Sequence, residues 1–420
     1  MTGGADGSDS GGPRTIDEHN GDDDGGEVHG CPIIDTDFRI ERPAFWHFDR
    51  LNAVRELAPI VANTTPHDFW MVSRYDEVKE ALQRSDVFTN RVTSALGDPN
   101  NKVRLIPQNL IGQEHVKYRH VLNPWFSPGA VQRIAPLARE RCIAIIEELQ
   151  PKGSCDLANE FAMLFPTEIF LGILGLPVED GATLMPIVET MFRGFFGGDP
   201  AETTAAIATA KAYFQAAIDD RLVNPRDAST DFITYLLQAR VDDHPLPHED
   251  VLTLCYTIML AGLDTTRSEL GYIFQHLATH PDDRQLLVDH PDKIPAAIEE
   301  FCRLYALVMQ DGRYVAEDID FHGCPMKEGD LVWLGLASAN RDPRKFDNPD
   351  EFQLDRAFNK HLGFAAGAHR CLGAHLARSE LIIALQEWLR RIPYFRLADD
   401  DLTERGGQLM LLRVPLEWNV

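Results

Sequence analysis

Apolar positions repeat with helical spacing over most of this chain. From about Pro128 to Arg240 they fall three and four apart, as in Cys142, Ile145, Ile146 and Leu149, then Ile169, Ile173 and Leu176. Pro177, Gly197, Gly198 and Pro200 punctuate this run. A long helix is predicted from about His248 to His280, another from about Ile294 to Leu307, and a last from about Leu372 to Arg391. Strand-like pieces are few. Phe69-Trp70-Met71-Val72 precedes a turn and a helix from Glu77 to Ser85. Short strands are expected between Asp318 and Trp333, around Gly323, Pro325 and Gly329. A loop rich in Pro, Asp and Asn follows from Asn340 to Asp355. The fold class is therefore predominantly α with a minor β region, and no βαβ alternation supports a doubly wound sheet. Residues 1–30 are poor in apolar groups and carry Asp22, Asp23 and Asp24, so a disordered acidic tail is expected there. Residues 31–420 then form a single domain.

Composition narrows the partners. The 420 residues hold 40 Lys+Arg against 65 Asp+Glu, a formal net charge of −25. That balance disfavours nucleic acid, whose phosphates need a basic face. No secretory h-region is visible, and the apolar stretch Val251 to Leu263 is shorter than the roughly 20 residues of a membrane span. A cytoplasmic protein with no membrane partner is expected. The seven cysteines show no CxxC pair and no zinc-like spacing. They read as reduced thiols, of which one or two carry chemistry.

The stretch His361-Leu-Gly-Phe-Ala-Ala-Gly-Ala-His-Arg-Cys-Leu-Gly373 is the most informative. Phe364 opens a loop whose turn Gly367 allows, and Gly373 lets a following helix pack against something flat. Cys371 stands at the start of that helix, where unpaired N–H groups favour a thiolate. One thiolate with no second protein ligand suits haem iron, whose in-plane ligands come from the porphyrin. A buried, inert cysteine is the bland alternative.

The spacing Phe364-x-x-Gly367-x-x-x-Cys371-x-Gly373 resembles the haem-ligand loop of the cytochrome P450 superfamily. A second stretch agrees. In Met259-Leu-Ala-Gly-Leu-Asp-Thr-Thr266 a Thr hydroxyl can bond back to a carbonyl a turn earlier, and an acid beside it can recharge a proton relay. Ala261-Gly262-x-Asp264-Thr265 is similar to the family's oxygen-activation motif and lies just over a hundred residues before Cys371. By resemblance, Asp264 and Thr265 are the catalytic pair.

Further positions follow from the same resemblance. Glu300 and Arg303, three apart on one helix face, with Arg356 from the Asn340–Arg356 loop, form a structural lock. His115, Arg119, Arg313 and His369 contact the haem propionates, and Phe364, Gly367, Ala261 and Gly262 border the haem. Val103, Leu105, Thr257, Leu260, Met309 and Gln310 are the substrate-pocket candidates, with Gln310 as a polar handle. The last third of the chain looks like the soluble bacterial camphor-hydroxylating enzymes. Their substrate-binding tyrosine falls near Val103, however, so a camphor-like ketone is not implied. Ala365-Ala366 replaces the commoner Gly-His, which should relax the loop, and Arg370 adds proximal positive charge.

The resemblance implies the P450 fold, haem b bound through Cys371, and a monooxygenase that inserts one atom of O2 into a small apolar substrate of terpenoid or aromatic kind. With no flavin or iron–sulfur motif in the chain, electrons come from outside. A ferredoxin with its reductase, docking on the proximal face near Arg119 and Arg370, is the expected source. A peroxide-driven enzyme and a non-catalytic haem-binding sensor or carrier are the alternatives.

Overall fold

In a computed structural model, residues 27–28, 30–92, 94–97 and 103–420 are described. The expected tail therefore lies outside the described residues, except that Glu27–Val28 pairs as a short strand with Cys31 and Pro32.

Helices dominate, as the apolar spacing requires. The central one, His248–Thr279, is buried along nearly its whole length, and the helices Leu164–Leu174, Gly181–Phe195 and Pro200–Val223 pack around it. Its length matches the sequence reading within a residue. The helix Ile294–Leu304 stops earlier than expected, turning at Tyr305 so that Ala306, Leu307 and Val308 reach the interior cavity. The last helix is Ala374–Arg391 and begins three residues after Cys371, because the chain turns through Leu372 and Gly373 first.

The sheet is peripheral. Its strands run in the order Glu27–Val28, Cys31–Ile34, Ile60–Asn63, Phe69–Val72, Leu331–Gly335, Gln310–Val315 and Phe88–Thr89. The two outermost pairings on the Phe88–Thr89 side are antiparallel, while Phe69–Val72 runs parallel to Leu331–Gly335. This sheet, the helix Tyr75–Gln83 and the hairpin Ile319–Met326 enclose a second apolar cluster. Leu362 belongs to it, and Ala365 and Ala366 pack against it. The cysteine loop thus rests on a β-backed bed.

One expectation changes, and one apolar stretch bears on another. Cys31 and Cys324, 293 residues apart, are joined as a disulfide with Cα atoms 6.1 Å apart. The expectation of uniformly reduced thiols fails because spacing along the chain says nothing about two segments that the sheet and hairpin bring together. Second, the stretch Leu157–Leu174 is long and apolar enough to cross a membrane, with a mean hydropathy of 1.4. Yet 67% of it is buried, and it is divided into the helices Leu157–Glu160 and Leu164–Leu174. Its apolarity is accounted for by contact with the rest of the fold.

Candidate active site

A cavity of about 350 Å³ lies between the central helix and the cysteine loop. Phe364, Ala365, His369, Cys371, Leu372 and Gly373 form one wall; Thr257, Leu260, Ala261, Gly262, Thr265 and Thr266 form the other. The loop's shape follows from its backbone. Cys371 N–H donates to Phe364 O at 3.0 Å, and Gly367 takes a φ of 73° where a side chain would strike Leu82 O. Ala365 also adopts a positive φ, 53°. The Ala for Gly replacement therefore strains this turn, contrary to the expected relaxation.

Cys371 opens its side chain on the cavity, and the other four free cysteines are buried. Burial pushes the Cys371 thiol up, while the Gly373 N–H and the guanidinium groups of Arg119, Arg370 and Arg378 oppose that shift. Space beside Gly373 is open, so a Cβ there would project into emptiness. On the facing helix, Ala261 is exposed to the cavity, and Thr265 Oγ1 donates to Ala261 O at 3.0 Å. Gly262 lines the cavity and also lets Phe170 approach closely, since a Cβ on it would sit 2.6 Å from that ring.

Asp264 is fully buried and does not line the cavity. Its Oδ2 accepts from Arg405 and from Gln408 Nε2 at 3.3 Å, both on the hairpin formed by strands Thr403–Arg405 and Met410–Leu411, and Oδ1 has no partner among the described residues. Gln408 does reach the cavity wall.

At one edge, His115, Arg119, His369 and Asp311 line the wall together. The His115 and His369 rings stack with centroids 3.9 Å apart. Burial holds His115 down to about 4 and His369 down to about 3, helped by the neighbouring cations, which favours the neutral rings. Arg313 is buried just behind this edge. Two of its nitrogens bind Asp311, while Nε has no partner among the described residues.

Behind the loop, Glu300 gathers four partners. Arg303 Nε and Nη2 donate to its two oxygens at 2.9 and 2.7 Å, and Arg356 Nε donates at 3.1 Å. Asn359 Nδ2 and Gln353 N–H complete the set, each at 3.1 Å. The adjacent Glu299 binds Arg378 at 2.8 Å and His361 at 3.2 Å, spanning the two ends of the cysteine loop.

A sequence model of the family described as Cytochrome P450 matches residues 61–287 and 294–418. The chain belongs to the cytochrome P450 family. A probable cytochrome P450 127A1 of Sinorhizobium fredii is 33% identical over 356 residues, 83% of this chain and 83% of that protein. Mycinamicin IV hydroxylase/epoxidase of Micromonospora griseorubida is 31% identical over 381 residues, 88% and 94% of the two chains. Crystal structures of CYP101J2 and CYP101C1 each give a TM-score of 0.83, with 28% and 29% identity. They cover 92% of this chain, and 97% and 98% of their own. The fold is the P450 fold, and the protein is an oxidoreductase of the P450 monooxygenase class.

The haem that this family implies fits the residues present. A lone accessible thiol, an open cradle at Gly373, an apolar facing wall and an edge holding His115, Arg119 and His369 meet at one cavity. Of the pocket candidates, Leu105, Thr257, Leu260 and Gln310 line the cavity, whereas Val103 and Met309 do not. Gln310 is engaged by Ser94 Oγ at 2.8 Å and by Ala95 N–H at 3.5 Å. Sequence reasoning missed the aromatic lining of Phe126, Phe170, Phe192, Phe195 and Phe196. The cluster Phe192 to Phe196, just ahead of Gly197-Gly198, was its available signal.

Proposed function

We propose that this P450 inserts one atom of O2 into a small apolar substrate, terpenoid-like or aromatic, with electrons from an external ferredoxin. The observation that carries the reading is the single accessible thiol of Cys371 facing Ala261 and Thr265 across an apolar cavity. Haem, when bound, supplies the iron at which dioxygen is reduced and activated.

The chain's own residues divide the remaining work. Cys371 would hold the haem through its thiolate, and the Gly373 N–H with Arg119, Arg370 and Arg378 works against the burial that raises the thiol. His115, Arg119 and His369, with Arg313 just behind Asp311, are placed to hold two propionates. Thr265 keeps its hydroxyl proton on Ala261 O, from where the group can turn toward the cavity. Asp264 is the acid of the relay, and its link to the cavity is Gln408, which touches both. The five phenylalanines orient an apolar substrate by shape and exclude water. Arg370, exposed beside the ligand, and Arg119 give a ferredoxin a cationic contact on the proximal side. Bacterial relatives that match most of the chain support a cytoplasmic setting, with residues 31–420 acting as one haem domain.

The test is a screen of small apolar compounds for a spin-state change in the ferric protein, followed by product analysis with a ferredoxin and its reductase. Hydroxylated product that requires ferredoxin and O2 is expected. Turnover with peroxide alone, or ligands that shift the spin state yet are never oxidised, would contradict the proposal.

A further inference from the structure

The cavity wall beyond Thr265 carries a carboxyl that no cation meets among the described residues. Glu269 follows Thr265 by one helical turn, on the same face of the central helix, and lines the cavity with it while remaining 4% exposed. Cys302 of the neighbouring helix feels its charge from one side, and Oε1 has no partner among the described residues. Two phenols, Tyr272 on its own helix and Tyr305 past the end of the next, are the other ionisable groups that feel its charge. Nearby bases are committed elsewhere. Arg267 binds Glu189 and Asn159, Arg303 binds Glu300, Arg378 binds Glu299, and His276 lies between Tyr305 and Asp283. From the last helix a second carboxyl, Glu380, enters the same wall, which Thr266 also lines.

A carboxylate enclosed this way has lost its water and gained no counter-charge, so the protonated form is favoured. Burial pushes Glu269 up to about 8, and Glu380 likewise. An anion at this wall would also act on anything else held in the cavity, because little solvent screens it.

We infer that Glu269 tunes the reduction potential of the haem: as a neutral acid in the pocket wall it leaves the iron readily reduced, and as an anion it opposes the incoming electron. The inference rests on the haem reading of this cavity. The sign follows from charge. Reduction adds one negative charge to the haem, so a carboxylate beside it lowers the potential. By linkage, reduction must in turn draw a proton on to Glu269.

The experiment uses the full-length, haem-loaded protein. The ferric–ferrous potential is measured from about pH 6 to about pH 9, a range that brackets ionisation of a strongly shifted carboxyl. Wild type, Glu269→Gln, Glu269→Asp and Glu380→Gln are compared. Infrared spectra in H2O and D2O report the carbonyl band of a protonated acid. The wild-type potential is expected to fall as pH rises through about 8. Glu269→Gln should keep the low-pH potential, lose part of that fall and lose one D2O-sensitive band. Glu269→Asp, which retains the acid, should keep a pH dependence, and this separates charge from packing damage. Glu380→Gln should leave the part of the fall that Glu269→Gln removes. Haem bound normally, with an unchanged pH profile in Glu269→Gln, would overturn the inference alone. A protein that binds no haem would overturn the reading beneath it as well, and absorption distinguishes the two.

Discussion

The two walls of the cavity differ in how they treat buried charge. Behind the cysteine loop two buried carboxylates are neutralised: Glu300 by Arg303 and Arg356, Glu299 by Arg378 and His361. On the central helix polar groups are left partly unmet. Among the described residues Asp264 has one bonded oxygen and one bare one, Glu269 has no cation, and Thr257 Oγ1 has no partner. A charge-paired buried network is rigid and costly to disturb, whereas a carboxyl without a cation retains reason to move or to exchange a proton. The contrast assigns holding to the first wall and proton chemistry to the second.

The largest expected effect comes from unpairing the first wall. Glu300→Gln leaves Arg303 and Arg356 buried without their anion, which should destabilise the protein by about 3–5 kcal/mol. Urea unfolding followed by circular dichroism would read this as a lowered midpoint. An unchanged midpoint would remove the distinction between the walls.

Breaking the Cys31–Cys324 link loosens the bed beneath the loop. Reduction, or Cys31→Ser, should cost about 3 kcal/mol by relaxing the unfolded chain. Thermal melting with and without a dithiol reductant measures it, and the Ser variant should no longer respond to the reductant.

On the second wall the effect should fall on chemistry instead. Thr265→Ala removes one helix back-bond, so stability should change by less than about 1 kcal/mol. Product formed per electron consumed should fall by at least roughly tenfold if the hydroxyl handles protons. A stability loss with intact coupling would reverse the roles of the two walls.

A smaller change sharpens the loop itself. Ala365→Gly relieves a left-handed position and should stabilise by about 1 kcal/mol, read as a raised melting temperature.

Acid provides a graded test. Burial works against ionisation of Glu299, but Arg378 and His361 more than compensate and bring it down to about 2. A depressed carboxyl stabilises the folded state above its unfolded value, and the contribution is lost as pH falls through the folded one. Glu299→Gln should therefore flatten the acid limb of the stability curve between about pH 4.5 and about pH 2.

Much of this is legible in the amino-acid sequence alone. The central helix, the Glu300–Arg303 pairing and the Thr265 back-bond follow from local spacing, because residues three or four apart on a helix share a face. Arg356 joins that pair through the family's loop pattern. What escaped depends on distant segments meeting. Arg405 and Gln408 reach Asp264 from more than a hundred residues away, and nothing at positions 264 or 405 announces the other. The same holds for Cys31 and Cys324. Glu269 reads as an ordinary helix carboxyl until its surroundings are known. The helix start at Ala374 is hidden because Leu372 and Gly373 carry the helical pattern through a turn.

The central claim is that the sulfur of Cys371 binds haem iron. The direct measurement is the absorption of the reduced, carbon-monoxide-treated protein, in wild type and in Cys371→Ala. The account predicts a thiolate-type band that the substitution abolishes. A band typical of imidazole ligation, or one that survives Cys371→Ala, would contradict it.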